Sequence, residues 1–224
     1  MTVDVWRIDV RDAARGVAGV LSPDEAERAA RFRFEPDRVA FVATRAALRT
    51  LVGSHLGVAP RDVTFRYGEH GKPEVAGLSF NASHAGDVAL VALASSGRIG
   101  VDVEAMRPGV EMRALARRFF TASENAALAR LSEGELAAGF YGCWTQKEAF
   151  VKAVGEGLSF ELDRVEVAVR PAPVGVLSVD GDAAAGAAWT MAEVDCGPGY
   201  AAAVAVDAPG VDVVVHDWRG SAAA

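Results

Sequence analysis

Residues 140–158, FYGCWTQKEAFVKAVGEGL, constrain the fold more than any other stretch of this chain. Up to Gly155 only Gly142 interrupts a run of helix-compatible residues. Phe140, Trp144, Val151 and Val154 recur at helical spacing and predict a buried stripe. Glu148 and Lys152 stand four apart, so they neighbour each other on one face, with Lys147 beside them. Gly155 and Gly157 then end the helix, as glycine does past a C-terminus. The expectation is a half-buried helix with one carboxylate and two ammonium groups at its polar edge. By itself, a Glu-Lys pair at this spacing reads first as solvated surface decoration.

Lysine usage sharpens that choice. The 23 basic residues comprise 20 arginines and only three lysines, Lys72, Lys147 and Lys152. Arginine therefore supplies the surface charge, and lysine, a compact donor on a rotatable stem, is kept for particular places. The net charge of −7 is also uneven. Residues 1–100 hold 13 basic against 12 acidic side chains, and residues 101–224 hold 10 against 18. An acidic chain is a poor nucleic-acid binder. A locally basic half facing an acidic half suits a site that joins an anionic ligand to a metal. No run of about twenty apolar residues predicts a membrane span. The charged start, MTVDVWRIDVRDAARG, lacks a signal core, so a cytoplasmic protein is expected. Cys143 and Cys196 fit no metal spacing, and no disulfide is expected in a reducing compartment.

In chain order, residues 3–10 alternate as a first strand. Ser22 with Pro23, Asp24 and Glu25 starts a helix that is expected to reach residue 34. A second helix is expected over 36–56. Six arginines and two acids lie between Arg28 and Arg49, giving either a solvated basic face or a phosphate clamp. Residues 61–67 read as a strand, 71–73 as a turn projecting Lys72, 78–83 as an extended segment, 84–87 as a turn and 88–94 as an apolar strand. In the strand 98–104, Ile99, Val101 and Val103 point one way, and Gly100, Asp102 and Glu104 the other. Two carboxylates side by side repel, and a divalent cation is the obvious compensation. With a third carboxylate and open positions, the set suits Mg²⁺ sharing its shell with a phosphate. A helix over 111–120 precedes a capping box at Thr121 and Glu124, which makes Glu124 a cap before anything else. Strands are expected over 164–170, 174–179, 189–195 and 200–206, and a loosely held tail from about residue 207.

These pieces resemble a known family. GKP (71–73), FNASH (80–84), IGVDVE (99–104), FF-T-x-x-E (119–124) and W-x-x-KEA-x-x-K-x-x-G-x-GL (144–158) follow the order found in 4′-phosphopantetheinyl transferases of the long, surfactin-synthetase-activating type. The resemblance implies an α+β fold of two similar, pseudo-symmetric α/β halves in one chain, with the active site between them. The halves would be residues 1–100, gripping the phosphates of coenzyme A, and 101–210, binding Mg²⁺ and carrying catalysis, with 211–224 as a tail. It implies transfer of phosphopantetheine from coenzyme A to a serine of an apo acyl or peptidyl carrier protein of a peptide, polyketide or fatty-acid synthase, by a monomeric enzyme. Asp102, Glu104 and Glu148 would be the Mg²⁺ ligands. Arg28, Arg45, Lys72, Pro73, Ser83 and His84 would grip the phosphates. Lys152 would stand near the reacting phosphorus, and Glu148, or a water on Mg²⁺, would be the base. The same carboxylates would also serve a Mg²⁺-dependent pyrophosphohydrolase acting on coenzyme A or a nucleotide.

Overall fold

Two long helices laid on two antiparallel-cored sheets set the frame, in a computed structural model that describes residues 1–17, 19–68 and 71–220. The chain opens with β1 (Thr2–Asp9), α1 (Val10–Ala13), α2 (Pro23–Ala30) and α3 (Glu35–Leu56). A short ribbon, β2 (Arg66–Tyr67) and β3 (Pro73–Glu74), precedes the hairpin of β4 (Ser79–Ala85) and β5 (Val88–Ala94), and β6 (Ile99–Ala105) follows. Then come α4 (Met112–Phe119), α5 (Ala122–Leu128), α6 (Glu133–Val154), β7 (Val165–Val167), β8 (Val176–Val179), α7 (Ala183–Ala187), β9 (Thr190–Glu193), β10 (Tyr200–Val206) and β11 (Asp212–Trp218).

Local chemistry explains the helix ends. The Ser22 N–H donates to Glu25 Oε2 at 3.1 Å, and Pro23 occupies the first turn of α2. α6 begins well before residue 140, because the Ser132 N–H finds Glu135 Oε2 at 3.0 Å and caps an earlier start. It stops where Gly155 takes a left-handed φ of 88°.

The sheets run β11-β1-β5-β4 and β6-β10-β9. Strand alternation gives each sheet two apolar faces. α3 covers one face of the first sheet, with Leu48, Leu51 and Val52 against Ile8, Ala89 and Val91. The other face brings Val3, Val5 and Leu90 against Ile99, Val101, Val103 and Val204 of the second sheet. α6 covers the far face of the second sheet, with Phe140, Phe150 and Val151 packed around Ala201, Ala203 and Ala205. Burial of each large side chain contributes about 1.5–3 kcal/mol. The layers are helix, sheet, sheet, helix: an α+β fold of two similarly built halves, as expected. β4 and β6 lie at the joint and belong to different sheets. There the Val101 N–H donates to the Asn81 side-chain oxygen at 2.9 Å.

Several expectations are corrected. The presumed tail is a strand: β11 pairs in parallel with β1, from Thr2 opposite Asp212 to Ile8 opposite Trp218. Trp218 is buried with the first core, and His216 stacks on Trp6 at 4.5 Å. Residues 221–224 of that expected tail lie outside the described residues. Only Arg66–Tyr67 of the expected strand 61–67 pairs as a strand, and Pro60–Asp62 forms a 3₁₀ turn instead. His84 and Ala85 belong to β4, so the turn is Gly86-Asp87 alone. α2 ends at Ala30, a turn short of residue 34. Among the described residues, no helix is long and apolar enough to cross a membrane.

Candidate active site

α6 and β6 approach each other closely at one residue. A Cβ on Gly100 would lie 2.0 Å from the Ala149 carbonyl oxygen and 2.4 Å from the Ala153 nitrogen. The absence of a side chain there lets the strand lie on the helix backbone. The neighbours on the same strand face, Asp102 and Glu104, are thereby brought to α6 beside Glu148 and Lys152.

Asp102 is 3% exposed. Its Oδ1 accepts from Lys152 Nζ at 2.5 Å and from the Ser83 hydroxyl at 3.0 Å, and Lys152 also donates to Ser83 Oγ at 2.9 Å. Asp102 Oδ2 is buried without a partner. Burial pushes the Asp102 carboxyl above its ordinary range, and Lys152 pulls it back. Glu104 is raised by burial and then by Asp102. Glu148 is raised by burial, then by Asp102 and Glu104. The three carboxylates therefore feel one another. Among the described residues, no three His, Cys, Asp or Glu side chains already close around one point. The residues nevertheless fit a hard divalent cation: three mutually repelling carboxylates, one with an orphaned buried oxygen, are an oxygen donor set whose charge calls for compensation.

One face of α6, carrying Trp144, Glu148, Val151, Lys152 and Gly155, forms a wall of a cavity of about 750 Å³. Arg118 and Phe119 of α4, Lys72 and Pro73, and Asn81 and Ala82 of β4 form other parts of its lining. A second cavity of about 210 Å³ shares Pro73, Asn81 and Ala82, and is also lined by Arg28, Arg45 and His84. The structure thus divides the expected phosphate grip. Successive residues of β4 face opposite ways, so Ser83 joins Asp102 and Lys152 while His84 joins Arg28 and Arg45. Burial, then the charge of Lys152, holds His84 below its usual pKa.

The basic residues differ in what already occupies them. Glu25, 3% exposed, pairs with both Arg45 and Arg49. Arg49 also donates to the carbonyls of Pro60 and Val63, which makes it a core strut. Arg38 pairs with Glu35, and Arg31 with Glu27. Arg28 is exposed and lies over the Phe41 ring at 5.0 Å. The Lys72 ammonium donates to the carbonyls of Lys152 at 2.7 Å and Ile99 at 3.2 Å, tying the ribbon to the last turn of α6 and the start of β6. Burial lowers its pKa.

Lys147 is not at the polar edge of α6. It is fully buried, pairs with Glu124 at 2.8 Å, and donates to the carbonyls of Leu162 and Val165. Glu124 caps α5 through the Thr121 N–H and also accepts from the Val167 N–H at 2.8 Å. Five residues separate Lys147 from Lys152, about 140° around a helix, a signal in the sequence that placed them on different faces. Trp144, expected in the buried stripe, is half-buried and lines the large cavity. Its spacing from Glu148 and Lys152 marks that face. Phe119 and Asn81 fall inside quoted motifs, but no short-range spacing ties Arg118 and Phe119 of α4 or Asn81 of β4 to the α6 face they join.

Residues 98–205 match the family model for the 4′-phosphopantetheinyl transferase superfamily, and residues 6–97 match the 4′-phosphopantetheinyl transferase N-terminal model. The 4′-phosphopantetheinyl transferase HetI of Nostoc sp. (strain PCC 7120) is 36% identical over 91% of this chain and 87% of its own length. The 4′-phosphopantetheinyl transferase Sfp of Bacillus subtilis (strain 168) is 31% identical over 66% of each chain. The Thermotoga maritima holo-[acyl-carrier-protein] synthase superposes on 50% of this chain and 63% of its own, at 21% identity and a TM-score of 0.41. With family models matched along most of its length and a relative of 36% identity spanning nearly all of it, the chain belongs to the 4′-phosphopantetheinyl transferase superfamily and is an enzyme of that kind.

Proposed function

We propose that this enzyme moves the 4′-phosphopantetheine group of coenzyme A to a serine hydroxyl of an apo acyl or peptidyl carrier protein, with 3′,5′-ADP leaving. The observation that carries this reading is the grouping of Asp102, Glu104, Glu148 and Lys152 beside a cavity large enough for a cofactor-sized ligand, with the Arg28, Arg45 and His84 cavity adjoining it. Residues 1–100 grip the adenosine phosphates. Arg28 and His84 do so most directly, Arg45 as far as Glu25 leaves it free, and Lys72 and Pro73 from the shared rim. Residues 101–210 supply the reacting centre.

The carrier serine oxygen attacks the phosphorus that bears pantetheine. The bond from that phosphorus to the bridging oxygen breaks, and its electron pair leaves on 3′,5′-ADP. The serine proton passes to Glu148, directly or through a water. Lys152, 30% exposed on a flexible stem, turns its ammonium to the charge developing on the phosphate oxygens. Asp102, Glu104 and Glu148 would hold Mg²⁺, and the bound ion would neutralise pyrophosphate charge and polarise the phosphorus. The enzyme works as a cytoplasmic monomer on carriers of peptide, polyketide or fatty-acid synthases, not on nucleic acid.

The test is intact-protein mass spectrometry of apo carrier proteins after incubation with this enzyme, coenzyme A and Mg²⁺. A gain of one phosphopantetheine on one serine is expected. Consumption of coenzyme A without a carrier, and no gain of mass on any carrier, would replace the reading with a pyrophosphohydrolase.

A further inference from the structure

Much of the wall of the large cavity comes from three separate stretches: α6, the end of α4, and residues 157–163. The third is a connection built on two short 3₁₀ turns, Gly157–Ser159 and Leu162–Arg164. One buried point joins all three. Lys147 comes from α6, one residue before Glu148, and is fully buried. Its ammonium donates to the Leu162 carbonyl at 2.9 Å and to the Val165 carbonyl, and Leu162 itself lines the cavity. The partner of Lys147 is Glu124, at 2.8 Å. Glu124 Oε2 accepts from the Thr121 N–H at 2.7 Å, two residues past Phe119 of the α4 wall, and Oε1 accepts from the Val167 N–H at 2.8 Å.

Stability does not explain such a pair. Taking two charges out of water costs several kcal/mol each, and apolar replacements of a buried pair are often neutral or stabilising. Direction is what the pair adds. Carbonyls and N–H groups from separate stretches converge on it, and a network with each member engaged holds its parts in one arrangement. Apolar side chains at the same positions would fill the space and leave those backbone groups unheld.

We propose that Glu124 and Lys147 are positioning residues for the transfer site. They hold the end of α4 and residues 157–163 at a fixed setting against the α6 face that carries Glu148 and Lys152. With side-chain exposures of 1% and 0%, they act through these walls and touch neither coenzyme A nor the carrier. The inference rests on the reading that transfer takes place beside this cavity.

The experiment compares wild type with two variants. Glu124→Gln/Lys147→Met removes both charges together, so no buried charge is left unpaired. Glu124→Asp keeps the pair but shortens its reach, and carries the test should the double variant not fold. Each is assayed well below its own Tm, with circular dichroism confirming the fold. The expected result is a Kd for coenzyme A, measured calorimetrically, at the wild-type value. The kcat for transfer to an apo carrier falls about 100-fold, the effect of about 1 Å of misplacement at a reacting centre. A wild-type kcat in the folded variants overturns the inference and leaves the pair a strut of the fold alone. A loss of coenzyme A binding along with kcat marks general loosening and overturns it too. Both results leave the transfer reading standing. A wild-type enzyme that adds no phosphopantetheine to any carrier overturns that reading, and this inference with it.

Discussion

Gly100→Ala tests whether the site depends on the close seating of β6 on α6. The added methyl would meet three backbone atoms, the Ala149 oxygen at 2.0 Å, the Ala153 nitrogen at 2.4 Å and the Lys152 carbonyl carbon at 3.0 Å. Backbone cannot rotate away as a side chain can. Moving the first contact out to 3.4 Å, an ordinary separation, takes about 1.4 Å of relative displacement. Overpacking costs about 1–3 kcal/mol, and this case lies at the upper end because a whole helix must shift. About 3 kcal/mol corresponds to roughly 6–12 °C of Tm for a chain of this size. The same displacement separates Asp102 and Glu104 from Glu148 and Lys152, and about 1 Å of misplacement at a reacting centre costs about 100-fold in rate. The expected result is therefore a lower Tm in thermal unfolding and a transfer rate down about 100-fold at saturating coenzyme A. Gly134→Ala is the control: its Cβ would meet nothing within 4 Å, and the change in a helix should be neutral or stabilising. If Gly100→Ala matches Gly134→Ala in both Tm and rate, the seating argument is wrong.

Other outcomes follow from what each side chain touches. Lys147→Met should cost about 3–5 kcal/mol, because it leaves Glu124 buried and uncompensated; chemical denaturation measures it, and unchanged stability with lost activity would contradict the strut role. Arg28→Ala should raise the KM for coenzyme A with Tm unchanged, whereas Arg45→Ala should also lower Tm, because Glu25 keeps only Arg49; equal Tm values for the two would contradict the division between them. Burial, then the charge of Lys152, holds His84 below the ordinary histidine pKa of about 6.5, so the folded chain refuses a proton that the unfolded chain accepts near that pH. The stability from neutral His84 is present above pH 6.5 and is lost as pH falls through the folded pKa. His84→Gln should therefore flatten the fall of Tm between about pH 7 and pH 5, and an equal fall in both proteins would refute the burial argument.

What was legible beforehand was mostly local. Ser22-Glu25 and Thr121-Glu124 announced helix starts because a cap is made within four residues. The alternation of 99–104 gave the face of Asp102 and Glu104, and the spacing of Glu148 and Lys152 gave theirs. The error at Lys147 came from overlooking the helical period that separates it from Lys152. The error at β11 came from discounting the valine-rich run of residues 211–215 at the chain end. Its partner, β1, lies at the opposite end of the sequence, and no local rule pairs them. Pro60 and the following residues made a turn where β-branched and aromatic residues suggested a strand.

Residue type and short-range spacing carry the family, the α+β class, α3, the second half of α6 and the acidic face of β6. The tertiary structure alone decided which charges are free to act. Glu25 takes up Arg45 and Arg49, Glu124 takes up Lys147, and two carbonyls take up Lys72, through contacts between residues far apart in the chain. It also decided that Ser83 belongs with Asp102, because a pleated strand sends neighbours to opposite sides and only the packing of β4 beside β6 says what stands there.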